Sequence, residues 1–385
     1  MSGRMKKYIL EIETEGPVHI GNGEKYSPYE FVYQPETKRF GLLNEGKWLK
    51  FLKDNKLYDK YEKDVLGENF KVYDWMCKNS IEPWEKEIYR YIIDGVEQDK
   101  KKGLNDVSCQ IKNYKGEPYI PGSSIKGMLR TAILSCHLAR KRGDYSSEWE
   151  SISYCIRHNK IKEIRKCILD IEEKCFGRLP KKDEAENIST QLLDVFRAVF
   201  VSDTNTVPVD RITIVQKNDW GKKTVNKGKT LPLWREAIKK KTQLKFELTM
   251  DINMLKSCKI GITKIEDILE MLNYYYENVL TEFESNFKVQ GIDGIYSSKE
   301  KPLIYLGGGT GFHTKSILYS LAPDLKSASA LVAEHLDNVF KGRHKHMIID
   351  GNVSPRTVKL AKTQQGLSKM GICSIRVVDE IACND

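Results

Sequence analysis

The sequence predicts an α+β chain, and three observations carry that prediction. Short stretches alternate apolar and polar residues with a period of two, as half-buried strands do. Between them lie long blocks with apolar residues at helical spacing. The chain has 385 residues, enough for two or three domains with their own cores. Its 63 lysines and arginines against 53 aspartates and glutamates leave a net charge of +10, which favours an anionic partner without naming it.

In chain order, Tyr8, Leu10 and Ile12 alternate with Ile9, Glu11 and Glu13, predicting a first strand over 7–14 that Gly16-Pro17 ends. His19 then precedes a predicted turn at Gly21-Asn22-Gly23, with a second strand over 30–33. His19 reads as a general base, as an RNA-contacting imidazole, or as a packed residue beside a turn. The block 42–95 reads as helical. Its rings, among them Trp48, Phe51, Tyr61 and Trp75, interleave with lysines as base-stacking surfaces do, but their spacing favours the core of a helical insertion.

A strand over 107–112 leads into YIPGSSIKGMLRTAIL (119–134). Pro121-Gly122 turns, Ser123 and Ser124 are candidate N-caps, and Ile125, Met128, Leu129, Ala132 and Ile133 mark a helix. Lys126 and Arg130 lie near its start, where free N–H groups and the helix dipole favour an anion. Gly122 would let a phosphate approach the backbone, and Gly127 keeps the first turn bare of a side chain. A capped helix with solvated cations would carry the same residues.

A second helical block over 147–200 is broken by Gly177 and Pro180 and holds a charged link at 181–186. Strands ending in Asp203 and over 212–216 follow. Asp203 and Asp210 could pair on magnesium or simply satisfy backbone N–H groups. The lysine-rich, glycine-broken stretch 218–230 is either mobile or ordered by a polyanion. Residues 232–241 read as helical, and Leu244, Phe246, Leu248 and Met250 mark a half-buried strand. The boundary between halves falls near Lys241: a domain over 1–241 carrying insertions at 42–95 and 147–200, and a domain over 242–385.

The second half continues with an amphipathic helix over 263–287 and the stretch PLIYLGGGTGFHTKSIL (302–318). Its glycines, 307, 308, 309 and 311, surround Thr310 and precede His313 and Lys315. From Gly309 it reads G-x-x-x-x-T-K-S, one residue from the phosphate loop of nucleotide hydrolases. Thr314 puts a Cβ where that loop must fold tightly, which argues against nucleotide hydrolysis. A loop lying flat on a sugar-phosphate backbone needs only close approach and free N–H donors. A helix over 326–340, a basic turn at 341–346, a loop containing Arg356 and a final strand over 372–378 complete the chain.

Nine cysteines without a C-x-x-C pair argue against a zinc ribbon or a disulfide framework, and no cofactor is expected. The first residues do not resemble a signal peptide, and no run reaches membrane-spanning length, so the expected location is cytoplasmic.

Together, PVHIGNG, YIPGSSIKGMLRTAIL, LGGGTGF and SPRTVKL with GLSKMGICSIRV resemble the RAMP superfamily of CRISPR proteins. Order and length are most similar to the Csm-family subunit that caps the crRNA 3′ end in type III-A effector complexes. The resemblance covers most of the chain outside the two helical insertions. It implies two ferredoxin-like (RRM-like) modules, each a four-stranded antiparallel sheet with helices on one face. It also implies crRNA binding through the backbone, a part in crRNA maturation and antiviral defence, and no membrane. The implied partners are the repeated RAMP backbone subunit, the small helical subunit of the Csm complex and host nucleases. The residues expected at the RNA are His19, Gly122, Ser123, Ser124, Lys126, Gly127, Arg130, Gly307, Gly308, Gly309, Thr310, Gly311, Lys315 and Arg356. Such subunits are regarded as non-catalytic. The alternative is a metal-independent endoribonuclease acting on CRISPR repeat RNA, because related RAMP proteins that cut it use a histidine.

Overall fold

In the computed structural model, which describes residues 5–85, 87–97, 104–177, 190–222, 228–288 and 295–381, the first strand β1 (Met5–Thr14) lies in the middle of a sheet. It pairs antiparallel with β10 (Gln243–Asp251) on one side and β14 (Ile372–Ile381) on the other. The edges are β7 (Val199–Val201) and β11 (Leu303–Tyr305), giving five strands in the order β11-β14-β1-β10-β7. A six-stranded sheet runs β13 (Gly366–Lys369), β12 (Thr357–Thr363), β8 (Ile212–Gly221), β9 (Lys229–Ile238), β6 (Val107–Gln110), β2 (Gly21–Tyr26). A small third sheet holds β3 (Phe31–Gln34), β4 (Arg39–Leu43) and β5 (Tyr89–Ile93). The two large sheets thus differ from the four strands each that the resemblance implied. A cut at 241 would also separate β1 from its partners β10 and β14, because both ends of the chain build one sheet.

Helices cover the sheets where their apolar stripes dictate. The insertion 42–95 contains α1 (Glu45–Asp54), α2 (Tyr58–Asp64) and α3 (Val72–Lys78) besides β4 and β5. Its rings are core: Tyr61 meets Trp48 and Trp75 edge-on at 5.4 and 5.1 Å. α4 (Gly122–Arg140) lays Ile125, Leu129, Ala132 and Ile133 on the same core as Tyr8, Leu10 and Ile12 of β1. Each such buried aliphatic side chain contributes about 1.5–3 kcal/mol. α5 (Ser146–Arg157), α6 (Ile161–Phe176) and α7 (Thr190–Leu193) form the second insertion. Its link at 181–186, and 223–227 of the lysine-rich stretch, lie outside the described residues.

After α8 (Ile252–Leu255), the helix read over 263–287 resolves into α9 (Ile265–Tyr275), a π-helical turn Tyr276–Leu280 and α10 (Thr281–Glu284). α11 (Leu318–Leu321), α12 (Leu325–Val339) and α13 (His346–Ile349) close the helical set. No helix among the described residues is long and apolar enough to cross a membrane.

Four local readings are corrected. The segment 232–241 is mostly strand: β9 buries Trp234, Glu236 and Ile238 in alternation, and Pro232 falls at an irregularity where it owes the ladder no N–H. The Gly21–Gly23 segment is not a turn but the start of β2, with a bulge that lets Gly23 take φ +93°. Residues 357–360, the end of the loop read around Arg356, are strand instead: they open β12, which forms a hairpin with β13.

The fourth concerns the start of α4. Pro121 is the N-cap residue, and neither Ser123 nor Ser124 makes a capping bond. Instead the Gly122 N–H donates to Oδ1 of Asp203, 81 residues later, at 2.8 Å. Asp203 therefore does what a cap does, from a neighbouring segment. Replacing it, Asp203→Ala, should lower the unfolding free energy by about 1–2 kcal/mol. Denaturant titration checks this, and an unchanged midpoint would refute the capping role.

Candidate nucleic-acid interface

Helical geometry sorts the residues of α4 by face. Lys126 and Arg130, four apart, share one side and turn into the protein. Lys126 Nζ donates to the Val199 carbonyl at 2.6 Å, and Arg130 bonds Glu172 and Asp194 at 2.7 and 2.9 Å over the Phe176 ring. Both were expected at an anion; both have internal partners. Gly122 is buried, and a Cβ on it would sit 2.3 Å from the Val201 carbonyl oxygen. The adjoining side of the helix, Ser124, Gly127 and Thr131, lines a cleft of about 300 Å³.

The far wall of that cleft is the glycine-rich loop, through Gly307, Thr314 and Lys315. The two stretches singled out in the sequence thus meet across one opening. Gly307, Gly309 and Gly311 have φ of +79°, +83° and +110°, a region that side chains resist. The Gly308 N–H donates to the His19 carbonyl at 2.7 Å, while the N–H groups of Gly307, Gly309 and Gly311 find no acceptor among the described residues. Such bare amides in a left-handed loop form an anion-binding concavity. Thr310 is buried and accepts from Thr314 at 2.7 Å.

Beneath the loop lies a charge that the sequence reading missed. Arg235 on β9 is half-buried, and its guanidinium packs against Gly309, where an added Cβ would lie 3.3 Å from it. Its side chain makes no ion pair or hydrogen bond with another described residue, and Asp219 is the opposing charge that acts on it. Lys217 of β8 and Lys359 of β12 stand beside it and share one carboxylate, Asp219, at 3.5 and 3.0 Å. Burial and the neighbouring cations lower the pKa of Lys217, and burial followed by Arg235 lowers that of Lys315. Cations held this close with too little opposing charge create a site that an anion would stabilise. Reading 232–241 as helix hid Arg235. The buried alternation of Trp234, Glu236 and Ile238 was the signal that could have exposed it.

The RAMP superfamily profile matches residues 11–312. The chain belongs to the RAMP superfamily. The CRISPR system Cms protein Csm5 of Streptococcus thermophilus is 29% identical to it over 331 residues, covering 82% of each chain. Csm5 of Mycobacterium tuberculosis (strain H37Rv) is 24% identical over 419 residues, covering 98% of this chain and 99% of that one. Among solved structures, a chain of a type III-A Csm–crRNA–target RNA ternary complex superposes with a TM-score of 0.66 at 16% identity, over 97% of this chain and 100% of that one. Csm5 of T. onnurineus does so with a TM-score of 0.58 at 16% identity, over 94% and 99%. Those two likenesses concern the fold.

In this RAMP protein Arg356, His313 and His19 also have internal partners. Arg356 bonds buried Asp350 at 2.8 Å and the His344 carbonyl at 3.1 Å. His313 at the loop's end reaches Glu284 at 3.0 Å, and Tyr305 and Lys369 bond the same carboxylate at 2.6 and 2.5 Å. Burial pushes the Glu284 pKa up, but the bonds from His313 and Lys369 outweigh it and hold it at about 2.

His19 is buried, with Nδ1 2.7 Å from the Glu236 carbonyl. A carbonyl only accepts, so Nδ1 carries the proton and Nε2 the lone pair. Burial pushes its pKa down to about 4 against that hydrogen bond. As pH falls below about 6.5 the unfolded chain gains a proton that native His19 refuses, so stability declines between 6.5 and 4. Glu284 acts lower: its contribution, full above 4.5, is lost as pH falls towards 2. The loss of unfolding free energy between pH 7 and pH 4.5 should therefore be smaller in His19→Gln than in the native chain by about 2–3 kcal/mol. Equal losses by denaturant titration would sink this reading.

Proposed function

We propose that this RAMP protein is the crRNA-binding subunit of a type III-A Csm effector complex and caps the guide at its 3′ end. The observation that carries this is the shared cleft: the bare face of α4 and the glycine loop confront each other above Arg235 and Lys315. Phosphates would sit on the amides of Gly309 and Gly311, ribose hydroxyls would meet Ser123, Ser124 and Thr131, and the cations would supply salt-dependent affinity. Lys126, Arg130, Gly122, His19 and Arg356 would shape these surfaces from within. Contacts of this kind position a strand without reading its sequence.

The near full-length likeness to proteins named Csm5, and to a chain from a complex holding crRNA and target RNA, supports the same assignment. We read the five- and six-stranded sheets as the cores of two ferredoxin-like modules. Segment 1–241 supplies the α4 wall, and segment 242–385 supplies the loop. In such a particle the neighbours would be the repeated RAMP backbone subunit and the small helical subunit, with host nucleases meeting the exposed guide end during maturation. The role is to hold RNA rather than to cut it. What favours this over the nuclease reading is His19, whose ring is buried and whose Nδ1 is taken by a backbone carbonyl.

Binding of a single-stranded RNA to the full-length protein, followed by anisotropy between 50 and 200 mM salt, tests the assignment. Arg235→Gln and Lys315→Ala should each flatten the plot of log affinity against log salt by about 0.7, the slope per phosphate on a single strand. Unchanged slopes in both would refute the phosphate site. In the assembled particle, photocrosslinks from this subunit should fall on the guide's 3′ end; crosslinks confined to its other end would refute capping.

A further inference from the structure

We propose that the cleft over Gly127 is a pocket for one unstacked nucleobase of the bound strand; this rests on the RNA reading above and adds a point of selectivity to it. The cleft is lined by apolar Met128, Leu272, Leu280 and Leu303 with Tyr275, and by Ser124, Thr131, Thr314 and Lys315. Flat apolar walls with a few hydroxyls and one cation suit an aromatic heterocycle on a charged backbone. At about 300 Å³ it stands at the small end of ligand clefts, with room for a ring system and not for a length of chain. It shares Gly307, Thr314 and Lys315 with the glycine loop, so a strand lying on that loop passes the opening.

Gly127 supplies the independent observation. It lies inside α4, where glycine is less favourable than alanine. Its φ is not positive, it is exposed, and a Cβ built on it meets nothing within 4 Å. Gly122, Gly307 and Gly371 are different: a Cβ there would lie 2.2–2.3 Å from a carbonyl oxygen. Neither backbone conformation nor packing requires glycine at 127. The open volume that it faces gives the reason: a side chain there would project into the cleft.

The experiment uses the full-length chain, a single-stranded RNA and the same RNA with one abasic residue moved along it. Gly127→Ala should raise the melting temperature, since alanine is the better helix former at this open position. Gly127→Leu should melt no lower than the native chain yet bind RNA about tenfold more weakly. One abasic position should weaken binding to the native chain by a similar factor and make it insensitive to Gly127→Leu. An abasic scan without such a position overturns the pocket, and so does a Gly127→Leu chain that binds RNA like the native one. Gly127→Leu weakening intact and abasic RNA alike would mean that the leucine obstructs the backbone path, which also overturns it. A native chain that binds the RNA normally while the scan is flat refutes the pocket alone. One that binds no RNA refutes the reading beneath it as well.

Discussion

The architecture around the cleft depends on one close approach. Gly307 passes so near the His19 carbonyl that a Cβ would sit 2.2 Å from its oxygen, and the next amide donates to that same oxygen at 2.7 Å. Only a backbone without side chains lies this flat, and three left-handed residues in five make it turn there. Pressed against the segment between β1 and β2, the loop spans both large sheets. Its strand of origin, β11, belongs to the five-stranded sheet, while Gly309 and Gly311 rest on Arg235 and Lys359 of the six-stranded one. Bulkier residues would lift it off those cations.

Paired and unpaired charges divide the molecule in an informative way. Buried Glu236 takes Lys112 at 2.6 Å, the Gln110 amide at 2.9 Å and the Tyr91 hydroxyl. Glu284 and Asp350 are similarly saturated. A buried charge left without partners costs several kcal/mol, so these carboxylates are locked into one arrangement and hold the strands and helices around the loop. The cations under the loop break that pattern, since Arg235, Lys217 and Lys359 share a single nearby aspartate. Saturation where the fold must be rigid, and a deficit of negative charge beneath this loop, fits a surface completed by an anionic strand.

The sequence revealed what is local. The helix opening at Gly122, the glycine loop after a short apolar strand, and the ring-filled insertion all follow from spacing within some fifteen residues. Missed features came from interactions between distant segments. Ser123 and Ser124 look like caps, but Asp203 occupies the helix end first. Lys126 and Arg130 look available, but Glu172, Asp194 and the Val199 carbonyl claim them. Pro232 disguised β9 because a proline at a strand irregularity and a proline near a helix start are alike in sequence. The pairing of Met5–Thr14 with Ile372–Ile381 leaves no trace in either strand alone.

That last pairing has a consequence for how the site is held. One wall of the cleft, α4, shares a core with β1 through Ile125, Leu129 and Ile133. The other wall begins at β11, which pairs with β14 alone among the described residues, in a register that places Ile372 opposite Tyr305 just before the glycines. β14 in turn lies along β1. Both walls are thus referenced to two adjacent central strands drawn from opposite ends of the chain. Their spacing is set by an antiparallel ladder rather than by a linker, and hydrogen-bonded strands keep a separation of about 4.8 Å. A cleft between surfaces so fixed is formed before any ligand arrives, so binding need not order the protein, and little affinity is lost to rearrangement.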